Sequence, residues 1–493
     1  MSSPTYSDSE SEIPLTFPRS KRHSSSGSGI RKPAADLITA LPDSVLGHVL
    51  SFLPIEDAIR SQILSKRWQY LWTYSTSLVF RDSNSSDKSV SDFVTFVDRT
   101  LVLCACSKVT KLGVQFAYEP DYASNVNLWT RFAAGRGAEE LQLDLVNYSG
   151  DFDVDDYYLV PELLYTNSSF KALQFSECKV MPKGVVCWHS LKKLSIGRAK
   201  LSEDVIQKIL AGSPVLEILE LCYCYGFNRV HVSDASLKKL ILRDGDYDDD
   251  GDGGHHPVLE ISAPHLHSLE ITGDLGRKIC RLGDVSSLVD ANISFRIWYR
   301  YYCSDDYKVH TDMFAGLLQS LVHVKKITLG SWAIQVLSIM EAKGLHSPLL
   351  KCECLTLDTD IRKKVLPGIA HMLDSSRNLE TLVISSAPYH CHEDFWDELC
   401  NVGEKHYWTS TEKSFMCLMF CLQKVKLIGF GLCKVDYYLP FVQFLLKNAR
   451  VLQKMVIDAQ TGGCNWPKEF SQAAQKLLSF PRSSPNAVVL FCE

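Results

Sequence analysis

Large apolar side chains recur along this chain with two different periods, and the change from one to the other divides it. Between Leu41 and Trp72, Val45, Leu46, Val49, Leu50 and Leu53 recur at helical spacing. Pro42 suits the first turn of that helix and Asp43 favours its N-terminus, while Pro54 ends it because it cannot donate into the preceding turn. Ile55, Ala58, Ile59 and Ile63 predict a second helix, and Ser65 is placed to cap a third that lines up Trp68, Leu71 and Trp72. Three short helices this rich in large apolar residues cannot hide all of that surface within themselves, so the unit needs a partner.

By about residue 80 the period changes. Ser77 to Phe80 predicts a strand, Phe93, Val94, Val97, Leu101 and Val102 an amphipathic helix, and Lys111 to Phe116 another strand. An internal frame then recurs in LLYTNSSFKALQF from Leu163, ILAGSPVLEILEL from Ile209, LLQSLVHVKKITL from Leu317, MLDSSRNLETLVI from Met372 and LLKNARVLQKMVI from Leu445. Its first positions close a helix, a polar pair turns the chain, and its alternating end is a half-buried strand. Shorter copies lie at LKKLSI, LKKLIL, LHSLEI and LVDANI, and the inner leucines at 173, 194, 219, 240 and 269 keep a leucine-rich-repeat interval of about 20 to 29 residues. Two copies extend to L-x-x-C, at Leu173-Phe175-Cys178 and Leu219-Leu221-Cys224, where a small buried thiol fits the exit from the strand. The pattern predicts an α/β solenoid: a curved parallel sheet with helices outside.

Composition narrows the function classes. With 493 residues the chain exceeds one core, and 46% hydrophobic against 22% charged residues is ordinary for a globular protein. A formal net charge of -5 gives no global pull toward nucleic acid. The 17 cysteines accompany a polar N-terminus, MSSPTYSDSESE, without a secretory apolar run, and Phe415 to Leu422, the longest apolar stretch, is shorter than the ~20 residues of a membrane helix. The expectation is an intracellular chain, nuclear or cytoplasmic, with no membrane anchor and thiols that act as small buried hydrophobes. Residues 1–35 read as a flexible tail, in which Arg19-Ser20-Lys21-Arg22-His23 is either an import signal or an ordinary basic cluster.

The residues now carry a resemblance. Leu41-Pro42, LSFLP from Leu50 to Pro54 and LSKRW from Leu64 to Trp68 resemble an F-box, the module that docks on a Skp-type adaptor and through it on a cullin ubiquitin ligase. An F-box followed by irregular leucine-rich repeats is similar to the plant F-box/LRR family. LQKVKLIGFG, FLLKNARVLQKMVID and FPRSSPNAVVLF resemble the FBD region that closes many members, with a departure at Asp436, where a Glu is usual, and across Cys433 to Tyr438. The resemblance implies an F-box over 36–80, repeats over 81–405 and an FBD-like α/β cap over 406–493. It assigns Leu41, Pro42, Val49, Leu50, Leu53, Pro54, Leu64 and Trp68 to the adaptor contact or its immediate packing, with Lys66 and Arg67 flanking it. Strand alternation in the repeats turns Gln174, Ser195, Glu220, Glu270, Thr328 and Thr356 toward a concave surface for a protein client. A scaffold that binds the adaptor without client turnover, and a receptor that needs a small ligand, stay open beside the ligase-subunit reading.

Catalytic and metal motifs fare worse. Asp246, Asp248, Asp250 and Gly251 imitate an EF-hand loop, but Pro257 stands where the bidentate Glu belongs, so a solvated acidic insertion is the expectation. The pairs Cys104/Cys106, Cys222/Cys224 and Cys352/Cys354 are all C-x-C, which on a strand puts both thiols on one face as core groups, and His390-Cys391-His392-Glu393 lacks a second ligand cluster. No phosphate-binding loop, dinucleotide fingerprint or nucleophile elbow occurs, so neither a cofactor nor an enzyme is expected.

Overall fold

The computed structural model describes residue 38 and residues 41–82, 89–146, 156–245, 258–275, 279–296, 307–359, 361–385, 407–410, 413–429, 435–458 and 475–492. The N-terminal tail, the acidic run from Asp246 to Pro257 and the His390 to Glu393 cluster lie outside them.

One parallel sheet of 15 strands organises the chain, and its strands follow one another in sequence order. They are β1 (Ser77–Arg81), β2 (Lys111–Ala117), β3 (Glu140–Val146), β4 (Ala172–Ser176), β5 (Lys193–Gly197), β6 (Ile218–Cys222), β7 (Lys239–Asp244), β8 (Ser268–Asp274), β9 (Asp290–Arg296), β10 (Lys326–Gly330), β11 (Cys354–Asp358), β12 (Thr381–Ser385), β13 (Lys424–Ile428), β14 (Lys454–Asp458) and β15 (Val488–Cys492). Each crossover returns the chain beside the strand it has just left, which is the nearest-neighbour stacking of a solenoid. Every copy of the predicted frame forms a helix end followed by a strand, at β4, β6, β10, β12 and β14.

Strand alternation sorts the side chains into rows. Leu112, Leu141, Leu173, Leu194, Leu219, Leu240 and Leu269 are register partners on successive strands, and all are buried. Two strand positions further on, Val114, Leu143, Phe175, Ile196, Leu221, Leu242 and Ile271 form a second buried row. Both rows belong to a single core that runs from Leu46 to Ala487, and the crossover helices close it from one side. The sheet does not break between residues 405 and 406: β13, β14 and β15 pair onto β12 in the same parallel sense.

Several expectations need correction. Helices do not cover the whole outer side: Arg229–His231, Val258–Ser262 and Ile279–Leu282 form a second, three-stranded parallel sheet there. Those segments alternate with period two, and they are too short to bury a helical stripe. Two of the three C-x-C pairs do not share a face. Cys222 ends β6 half-exposed while Cys224 is buried, because Tyr223 between them takes φ 57° and turns the chain out of the strand. Cys352 is buried just before β11 and Cys354 opens that strand half-exposed, whereas Cys104 and Cys106 lie off any strand and are both buried, as expected of core thiols. The L-x-x-C thiols sit as expected at strand exits, Cys178 Sγ 3.4 Å from the Ser176 carbonyl and Cys224 Sγ 3.3 Å from that of Ile196.

Candidate functional site

Among the described residues two faces remain uncovered, one on the N-terminal helices and one on the sheet. The helical unit contains α1 (Asp43–Leu50) and α2 (Ile55–Arg60), followed by 3₁₀ turns at Ser61–Ile63 and Trp68–Tyr74. The third segment is a helix, as the spacing predicts, but of the 3₁₀ type. Aromatic and β-branched residues from Tyr70 to Tyr74 favour an α-helix weakly, and a 3₁₀ turn eclipses Trp68 over Leu71. Nor does the Ser65 side chain cap it: the Ser65 carbonyl accepts the Trp68 N–H at 3.0 Å instead.

The apolar stripe of α1 splits between two sides. Leu46 and Leu50 point inward, as do Trp68, Leu71 and Trp72, and α2 packs on to β1. Leu50 and Trp68 therefore hold the unit together from within and are not surface residues. The other side stays in solvent: Leu41, Val45, Val49, Phe52, Leu53, Ile63 and Leu64 are all exposed, with Phe52 at 76% and Ile63 at 84%. Ile63 thus leaves the buried stripe that the α2 spacing predicts for it. Pro42, Pro54 and Lys66 are exposed beside them. Arg67 faces inward along the backbone. Its Nε and Nη2 reach Asp43 Oδ1 at 2.8 and 2.6 Å, and it also donates to the Leu41 carbonyl, tying the last turn of the unit to the start of α1. Full burial of seven such side chains is worth on the order of 10 kcal/mol before the cost of association, enough for one protein partner to dock.

The second face is the side of the sheet opposite the buried rows. Its middle row runs Gln142, Gln174, Ser195, Glu220, Ile241, Glu270, Asn292, Thr328, Thr356, Val383, Lys426, Val456 and Leu490 in unbroken register. All six residues predicted for a client surface lie in that row, half-exposed. Gln142, Ile241, Asn292, Val383, Lys426, Val456 and Leu490 share it beyond the predicted six, and most of them are marked in the sequence as the residue between two apolar positions of a strand. Charges in the middle of the face satisfy one another: Arg243 bridges Glu220 at 2.9 Å and Glu270 at 3.5 Å, and Lys239 approaches Glu270 at 3.5 Å.

The described thiols are poor nucleophiles. Burial pushes the Cys106 and Cys222 thiols up to about 11 and those of Cys224 and Cys352 to about 12, so they stay protonated and weakly nucleophilic near neutrality. Among the described residues no group of His, Cys, Asp and Glu is arranged to hold a metal ion, and no helix is long and apolar enough to cross a membrane. One buried polar cluster does stand out on the helical side. His371 Nδ1 lies 2.9 Å from Glu341 Oε2, its Nε2 lies 2.7 Å from Ser347 Oγ, and Lys413 Nζ pairs with Glu341 Oε1. Burial lowers the imidazole pKa despite Glu341, so the neutral ring donates from Nδ1–H to the carboxylate and accepts the serine hydroxyl. Burial opposes the Glu341 charge, but Lys413 and His371 outweigh it and hold the carboxyl below its usual range. Both groups take up protons more readily when unfolded, so their contribution is present above about pH 6.5 and is lost as pH falls, first through His371 and then through Glu341. The urea midpoint is expected to drop between pH 7.5 and pH 5.5, and His371→Gln should flatten that slope; an identical slope in the variant contradicts the assignment.

Two family models match the chain. An F-box domain model matches residues 38–79, and a model described as the At1g61320/AtMIF1 LRR domain matches residues 104–483, which crosses the 405/406 boundary. F-box/LRR-repeat protein At5g02910 of Arabidopsis thaliana is 32% identical over 434 residues, 86% of this chain and 88% of the relative. F-box/LRR-repeat protein At3g03360 of the same plant is 28% identical over 484 residues, 93% of this chain and 91% of the relative.

Proposed function

This chain belongs to the F-box/LRR-repeat family, and from that premise we propose that it is the client-recognition subunit of a Skp-cullin-F-box ubiquitin ligase. The observation that carries the reading is the exposed apolar side of the F-box, from Leu41 to Leu64, on a unit whose own core is already complete. That side docks on a Skp-type adaptor and so on a cullin inside the cell, with Leu41, Pro42, Val49, Leu53, Pro54 and Leu64 at the contact, Lys66 at its rim, and Leu50, Trp68 and Arg67 holding the surface in shape. The open face of the sheet, with Gln174, Ser195, Glu220, Glu270, Thr328 and Thr356 along its middle row, holds a protein client. The closing residues 406–493 are read as FBD-like on the motifs they carry, built into the same sheet.

The work is positional. A rigid body bound at one end to the ligase and at the other to a client raises the local concentration of client lysines near the activated ubiquitin, and this requires no catalytic group or cofactor in the chain. Size-exclusion chromatography of the full chain mixed with a purified Skp-type adaptor tests the first link. A co-eluting one-to-one complex is expected, and two separate peaks at micromolar concentrations contradict the reading.

A further inference from the structure

Past Thr356 the open face changes character. Lys424 and Lys454 are direct register partners on β13 and β14, and Lys426 stands two residues beyond Lys424 on the same side. All three are exposed, and none forms an ion pair among the described residues, in contrast to Lys239 and Arg243 further back on the sheet. Adjacent strands lie about 4.8 Å apart, and like charges placed directly opposite each other on one face destabilise a sheet. The nearest carboxylate on β14, Asp458, stands four residues from Lys454, about 13 Å along the strand. The positions that interleave with the lysines are apolar or small: Thr356, Val383, Val456 and Leu490 continue the middle row on either side of Lys426.

We infer that the open face of β11–β15 docks a carboxylate-rich segment of a client protein, with Lys424, Lys426 and Lys454 pairing its acidic side chains and Val383, Val456 and Leu490 receiving its apolar ones. The charge complementarity is specific in kind. Lysine ammonium groups are point charges suited to several separate carboxylates, and β11 to β15 themselves carry no arginine for bidentate capture of a phosphate. The overall charge of -5 disfavours a nucleic acid in the same place. The inference rests on reading the open face as the client surface, and it is independent of the adaptor, since its test uses the chain alone.

The test titrates the full chain into a fluorescent glutamate-rich peptide with interspersed valines, beside matched peptides bearing glutamine or lysine in place of glutamate and an RNA oligonucleotide of equal charge. The glutamate peptide is expected to bind best, and its affinity to fall as the screening length shrinks from about 30 Å at 0.01 M salt to about 3 Å at 1 M. Substituting Lys424→Gln, Lys426→Gln and Lys454→Gln together should weaken binding at low salt by about tenfold or more, given three lost charge pairs, while Lys193→Gln with Lys238→Gln leaves it unchanged. Lys454→Glu alone should raise the melting temperature, because it gives Lys424 an opposite charge, and weaken peptide binding at the same time. Equal binding by the triple variant, an equal loss in the Lys193/Lys238 control, tighter binding of the RNA, or a lowered melting temperature in Lys454→Glu overturns the inference.

Discussion

Aspartate at both Val49 and Leu53 is expected to abolish adaptor binding without unfolding the chain. Both side chains stand on the exposed side of the F-box, at 45% and 43% exposure, while the inward side of α1 is carried by Leu46 and Leu50. Folding therefore loses little, within about 0.5 kcal/mol for such surface positions. Binding loses much more. Two aliphatic groups that would be buried against a partner give up about 2 kcal/mol each, and two carboxylates must be desolvated without counter-charges, so a loss of at least about 4 kcal/mol, or roughly a thousandfold in Kd, follows. Calorimetric titration of wild type and variant with the adaptor, together with their melting curves, reads both quantities. An unchanged affinity in a folded variant would remove the exposed apolar side from the contact.

Gly368→Ala is expected to destabilise the repeat body by about 3 kcal/mol, the upper end of the range for overpacking a core. Gly368 opens the helix Leu366–Ser375 where that helix crosses Ser331–Ala342. A Cβ at this position would run into the Ile334 carbonyl oxygen and press on Ser338 Oγ, 2.9 Å away. The same site holds a bond that needs the close approach: the Gly368 N–H donates to Ser338 Oγ at 2.9 Å, and that hydroxyl donates to the Ile334 carbonyl at 3.0 Å. Backbone on one helix and backbone on the other meet through a single serine oxygen, so neither side has a flexible side chain to move aside. Urea unfolding monitored by circular dichroism measures the effect; a shift below about 0.5 kcal/mol, the level of an ordinary surface substitution, would show that the two helices separate at no cost.

The sequence made most of the sheet legible because a half-buried strand writes itself as alternating side chains, and the frame copies at Leu163, Ile209, Leu317, Met372 and Leu445 all yielded a helix end and a strand. What it hid depends on three-dimensional register. The stripe Val45, Leu46, Val49, Leu50, Leu53 is apolar on two sides, and only the packing of Trp68, Leu71 and Trp72 decides which side is the core. Lys424 and Lys454 are thirty residues apart, and nothing in either segment announces that they face each other. His371 and Glu341, on two packed helices, meet Ser347 on the loop after the first, with no motif at their spacing. The third F-box helix is there, but its 3₁₀ type is hidden in the sequence because i, i+3 spacing suits a 3₁₀ helix as well as an α-helix.

Two faces share one continuous core: an apolar anchor at the F-box, and a row of register partners on the sheet that stays free when the anchor is occupied. Hydrogen exchange of the full chain with and without the Skp-type adaptor tests it most directly. New protection is expected in residues 41–64 alone, with exchange along β3 to β14 unchanged and the open face still available. Protection along the sheet with none in residues 41–64 would contradict it.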